Sequence, residues 1–127
     1  MLTGLDHLVV TVTDISRAVD FYTRVLGLEA RYQEAERVDL MLGDTALRLH
    51  QTDTESSPKA AHPTPGSIDL CVRSVLPLKE VQAHLETLQV PIEEGPVPRR
   101  GVQGPITSLY LRDPDGNLIE ICRPDRG

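Results

Sequence analysis

The sequence predicts an α+β fold built from two successive βαβββ modules, and a repeated order of segments carries that prediction. A β-rich stretch, an amphipathic helical stretch and three short alternating stretches follow one another between residues 5 and 51. The same order returns between residues 67 and 123. The intervening "TDTESSPKAAHPTPG" (52–66) is polar and proline-rich, the composition of a linker or long loop.

In the first module "LDHLVVTV" (5–12) reads as a strand and "TDISRAVDFYTRVLG" (13–27) as a helix. Asp14 is the N-cap; Ile15, Ala18, Val19, Tyr22, Val25 and Leu26 recur at helical spacing, and Gly27 stops the helix. Three strands are then expected in "LEARYQEAE" (28–36), "RVDLMLG" (37–43) and "TALRLHQ" (45–51), the last two joined by a Gly-Asp turn. In the second module "SIDLCVR" (67–73) is the opening strand and "PLKEVQAHLETLQ" (77–89) the helix, with Pro77 at an early position. Strands follow in "PIEEGPV" (91–97), "PITSLYLRD" (105–113) and "GNLIEICR" (116–123). "PRRGVQGP" between the first two of these reads as a basic, mobile loop. The whole is one domain, 1–127, of two modules at about 4–51 and 67–124 joined by the linker 52–66.

Composition narrows the function. With 39% apolar and 25% charged residues the chain lies in the globular range rather than the disordered one. A formal charge of −6 argues against non-specific binding to nucleic acid or anionic membranes, which needs a clustered basic surface. No apolar run reaches the ~20 residues that span a bilayer, and "MLTGLDHLVV" lacks a basic segment ahead of an apolar one, so a cytoplasmic location is expected. Cys71 and Cys122 stand among hydrophobes without a CxxC spacing and are expected to be buried, reduced thiols.

The internal repeat aligns the chain with itself. Setting "DHLVV" on "IDLCV" pairs His7 with Asp69, and setting "TALRLH" on "NLIEIC" pairs Arg48 with Glu120. Residues two apart on a strand share a face, so Leu118, Glu120 and Cys122 are expected on one face and Ile119 and Ile121 on the other. His7, Arg48, Asp69 and Glu120 are then expected on the inner faces of curled sheets, lining a shared polar cleft.

"LDHLVVTVTDISRAVDFYTRVLGLE" and "SLYLRDPDGNLIEICRP" resemble the vicinal oxygen chelate superfamily, which includes glyoxalase I, extradiol dioxygenases, methylmalonyl-CoA epimerase and the fosfomycin and bleomycin resistance proteins. "LRLHQ", "PKAAHPTPGSIDLCV" and "VPIEEGPVPRRGVQGPITSLYLRDPDGNLIEI" look like its glyoxalase-domain-containing, virulence-protein-like subgroup. The resemblance implies the curled mixed sheet of two βαβββ modules around a cleft, and a homodimer in which modules are sometimes exchanged.

It also implies a divalent ion held by His7 and Glu120, with Asp69 as a further oxygen ligand. Mn, Fe, Ni, Co and Zn are the candidate metals. The fourth ligand position holds Arg48, which has no acceptor for a metal; His50, two residues on, is the substitute imidazole. Arg48 is expected either to pair with Glu120 or Asp69 or to bind an anionic part of the substrate, and Arg100 to bind substrate from the loop. Glu120 and Asp69 are the candidate catalytic carboxylates. The function so implied is a metal-dependent glyoxalase- or dioxygenase-type enzyme acting by Lewis-acid catalysis on a small molecule with vicinal oxygens. Its alternative is a non-catalytic small-molecule binder with a degenerate metal site. His62 and His84 are expected to be solvated.

Overall fold

The computed structural model describes residues 1–33 and 37–125, so the part of the second expected strand on 34–36 lies outside the described residues. The chain divides into two compact units, Met1–Ser67 and Ile68–Gly127. Residues 52–66 form neither helix nor strand, and no described helix is long and apolar enough to cross a membrane.

The first unit runs β1 (His7–Val12), α1 (Ile15–Asp20), a π-helical turn (Phe21–Val25), β2 (Glu29–Tyr32), β3 (Val38–Leu42) and β4 (Thr45–Gln51). Asp14 caps α1 by accepting from the Arg17 amide at 3.3 Å. The expected single helix widens in its last turns. There the Thr23 hydroxyl donates to the Val19 carbonyl at 2.7 Å and takes an acceptor that belongs to the α-helical ladder. Gly27, at φ +73°, ends the element.

The sheet order is β1-β4-β3-β2, with β1 parallel to β4 and the other pairs antiparallel. Val10, Val12, Val38, Leu40, Leu47 and Leu49 are buried on one face, and α1 and its extension bring Ala18, Tyr22 and Val25 into the same core. Burying such a side chain contributes about 1.5–3 kcal/mol. The strand period therefore hands the opposite face to His7, Val9, Asp39, Arg48 and His50.

The second unit repeats the plan with β5 (Asp69–Arg73), α2 (Leu78–Thr87), β6 (Glu94–Gly101), β7 (Gly104–Arg112) and β8 (Leu118–Pro124), in the order β5-β8-β7-β6. Leu109, Leu111, Ile119 and Ile121 are buried on one face, as is Leu85 of α2. Glu120 and Cys122 lie on the other, as the alternation predicts. The expected loop at "PRRGVQGP" is instead a hairpin: β6 extends to Gly101, which pairs with Gly104 across Val102 and Gln103. The ladder carries those two arginines because β6 is bulged between Glu94 and Val97 and so starts and ends later than its apolar pattern suggests. Gly95 sits at the bulge at φ +110°, where a Cβ would come within 2.5 Å of the Ser108 carbonyl oxygen.

The "DPDGN" turn fixes β8. Asp113 accepts from the backbone amides of Asp115 and Asn117, both at 2.9 Å, and from the Asn117 side chain at 2.8 Å. Asn117 is fully buried and accepts from the Ile68 amide at 2.8 Å, which ties the entry of β5 to the turn. Gly116, at φ +87°, supplies the left-handed residue.

Candidate functional site

The strand registers agree with the self-alignment. In the first sheet His7 lies beside Ala46, Val9 beside Arg48 and Thr11 beside His50. In the second, Asp69 lies beside Leu118, Cys71 beside Glu120 and Arg73 beside Cys122. His7 thus corresponds to Asp69, Arg48 to Glu120 and His50 to Cys122. On the next strand Asp39, opposite Arg48, corresponds to Tyr110, opposite Glu120.

On the first sheet Arg48 pairs with an acid of its own sheet, Asp39. Its Nε donates to one carboxylate oxygen at 2.8 Å and its Nη2 to the other at 3.1 Å. Asp39 lies directly across β3 from Arg48, and its side chain is only 9% exposed, so a carboxylate there needs this bidentate partner. The hydrogen bond from Arg48 holds the Asp39 carboxyl below the usual carboxylate range, against the opposing effect of its burial. Nη1 of Arg48 lies 3.3 Å from Nε2 of His7, and Nδ1 of His7 lies 2.8 Å from Asp6. A guanidinium only donates, so Nε2 is the accepting nitrogen and Nδ1 carries the hydrogen that faces Asp6. The result is a closed series, Asp6–His7–Arg48–Asp39, along one face.

His50 is half-buried on the same face. Burial, then the Arg37 and Arg48 charges, push its imidazole below its ordinary range, so it is neutral near pH 7.

On the second sheet Glu120 is half-buried and accepts from the Ser108 hydroxyl at 2.7 Å; Ser108 itself is fully buried. Tyr110, directly opposite Glu120, has a phenol oxygen that accepts from Nε of Arg99 at 2.9 Å. Arg99 also donates to Glu94 at 3.0 Å, and its guanidinium carbon lies 5.4 Å from the Tyr110 ring centre. Arg100, expected to bind substrate, falls on the opposite side of β6; the alternation gives Glu120's face to Arg99.

Asp69 is exposed at the start of β5. Cys122 is buried as expected, but Cys71 is exposed because the polar face of β5 is open. Partial desolvation on its sheet side, with Cys122 and Glu120 as neighbours, pushes the Cys71 thiol up to about 12, so it stays protonated and un-nucleophilic. His62 and His84 are exposed. Among the described residues no group of three or more His, Cys, Asp or Glu side chains is arranged to hold a metal ion.

The site residues that the sequence reading passed over are Asp39, Asp6, Ser108 and Tyr110; Arg99 was expected with Arg100 in a basic loop and stands instead on β6. Asp39 carried a usable signal, an acid at a sheet position between the core residues Val38 and Leu40. Ser108 and Tyr110 stand at period two in "SLYL", opposite the strand that holds Glu120.

Residues 4–121 match the model of the Glyoxalase/Bleomycin resistance protein/Dioxygenase superfamily. The chain belongs to that superfamily. It is 48% identical to the virulence protein STM3117 of Salmonella typhimurium over 119 residues, covering 94% of this chain and 83% of that protein. It is 45% identical to the glyoxalase domain-containing protein RDO1 of Mycosarcoma maydis, covering 93% of this chain and 66% of that one. Among solved structures, a protein from the mobile metagenome of V. pseudocholerae superposes with a TM-score of 0.95 at 44% identity, covering 99% of this chain and 98% of that one. The fold of this superfamily member is the α+β fold expected from the repeat.

Proposed function

We propose that this superfamily member binds a small organic molecule carrying a hydroxyl next to a carbonyl, and that the polar face of the second sheet supplies the contacts. The observation that carries the reading is the paired state of Glu120 and Tyr110. The Ser108 hydroxyl donates to one oxygen of Glu120, and the Cys71 thiol beside it is a further, weak donor, which leaves acceptor sites of the carboxylate to spare. Arg99 fills the acceptor side of the Tyr110 phenol, and the phenolic hydrogen has no acceptor among the described residues. A carboxylate with acceptor sites to spare and a phenolic O–H therefore lie on adjacent strands, opposite each other in register. Glu120 accepts the ligand's hydroxyl hydrogen and Tyr110 donates to its carbonyl.

The metal-dependent enzyme rests on superfamily membership. Asp69 and Glu120 are oxygen donors of the right kind for a hard divalent ion. His7 does not fit, because its Nε2 already faces a guanidinium.

A thermal-shift screen of 2-hydroxyketones against the matching ketones tests the reading. The hydroxyketones are expected to stabilise the wild type, with affinity falling about tenfold or more in Glu120→Gln, the cost of leaving a buried polar group unpaired. Hits that bind Glu120→Gln and wild type equally, or that need no hydroxyl, would overturn it.

A further inference from the structure

The first sheet contains two groups of metal-ligand type, the Nε2 of His7 and the carboxylate of Asp39, and the side chain between them is a cation. Arg48 spans the gap, 3.3 Å from the imidazole nitrogen and 2.8 and 3.1 Å from the two carboxylate oxygens. All three residues are on regular strands, β1, β3 and β4, and face the same way. The Arg48 side chain is 20% exposed, so the pairing is shielded from competing water. We propose that this is a latent metal site filled by the chain's own guanidinium: Arg48 keeps divalent ions off His7, and removing its charge opens a site for a first-row metal between His7 and Asp39.

Charge and size both support this. A divalent ion bound at Nε2 would lie beside a fixed positive charge that cannot be deprotonated. Metal bonds to imidazole and carboxylate are about 2.0–2.2 Å long, so the two ligands must converge on one point, and the bulk of the guanidinium holds them apart. With Arg48 gone, Asp39 is left buried and uncompensated, and a cation is what that carboxylate then lacks. Glu120 corresponds to Arg48 in the second sheet. Arg48→Glu would therefore place at the first sheet the carboxylate that the second carries at the same position, as a third ligand.

The experiment is calorimetric titration of the full chain with Co2+ and Zn2+ alone, in wild type, Arg48→Gln and Arg48→Glu, each with and without His7→Ala. The absorption spectrum of bound Co2+ reports imidazole coordination, and circular dichroism reports folding. Wild-type binding should be unchanged by His7→Ala, because its sites lie elsewhere. Arg48→Glu should bind about tenfold tighter or more, with the gain abolished by His7→Ala. Should Arg48→Glu fail to fold, the neutral Arg48→Gln is expected to show the same His7-dependent gain. Wild-type Co2+ binding that His7→Ala weakens would overturn the proposal, as would folded Arg48 variants that gain no His7-dependent affinity.

Discussion

The two sheets share strand order and register but differ in the charge at their centre. Position 48 in the first sheet is an arginine forked onto Asp39 and touching His7. The matching position 120 in the second is a glutamate that accepts from the Ser108 hydroxyl and has no cationic partner among the described residues. The first polar face has its charges paired with one another, and the second keeps carboxylate acceptor sites and a phenolic hydrogen to spare. A repeated fold fixes where functional side chains stand, whereas the residue at each position decides whether the protein or a ligand completes its bonding.

The largest expected effect breaks the first face. Asp39→Ala leaves Arg48 without its bidentate partner in a nearly closed site and should cost about 3 kcal/mol in urea unfolding. The corresponding Tyr110→Phe, which loses only the phenol that accepts from Arg99, should cost about 0.5 kcal/mol. Similar losses at both positions would contradict the contrast. The Asp39 pair also has a pH signature. The folded carboxyl lies below its unfolded range, so the stabilisation is full above the ordinary carboxylate range and disappears as pH falls through the lower, folded value. Asp39→Asn should flatten that acid limb of the stability curve.

A smaller effect compares the entries to β8 and β4. Asn117 is fully buried with bonds to Asp113 and to the Ile68 amide, and Asn117→Ala should cost about 2 kcal/mol. Its counterpart Thr45 makes an exposed hydroxyl bond to the Leu5 carbonyl at 2.8 Å, and Thr45→Ala should cost about 0.5 kcal/mol. Chemical denaturation of both variants measures the difference.

Much of this was legible in the sequence because period and repetition are local signals. The repeat gave the order of elements, and alternation in "NLIEIC" put Glu120 and Cys122 opposite Ile119 and Ile121. What escaped depends on neighbours across strands. Nothing in "RVDLML" says that Asp39 lies opposite Arg48, since that follows from the β3–β4 register. The two arginines expected in a loop stand instead on the bulged β6, where alternation gives Arg99, not Arg100, to the face of Glu120. The exposure of Cys71 likewise depends on which face of its sheet stays open, which the flanking hydrophobes in "DLCVR" do not reveal.

The central claim is that the imidazole of His7 is committed to Arg48 and Asp6, and 15N NMR of the histidine ring tests it directly. The structure predicts a protonated Nδ1 and a bare, hydrogen-bonded Nε2 whose signal shifts when Arg48 is replaced by methionine. A protonated Nε2 in the wild type, or a His7 spectrum indifferent to Arg48→Met, would contradict it.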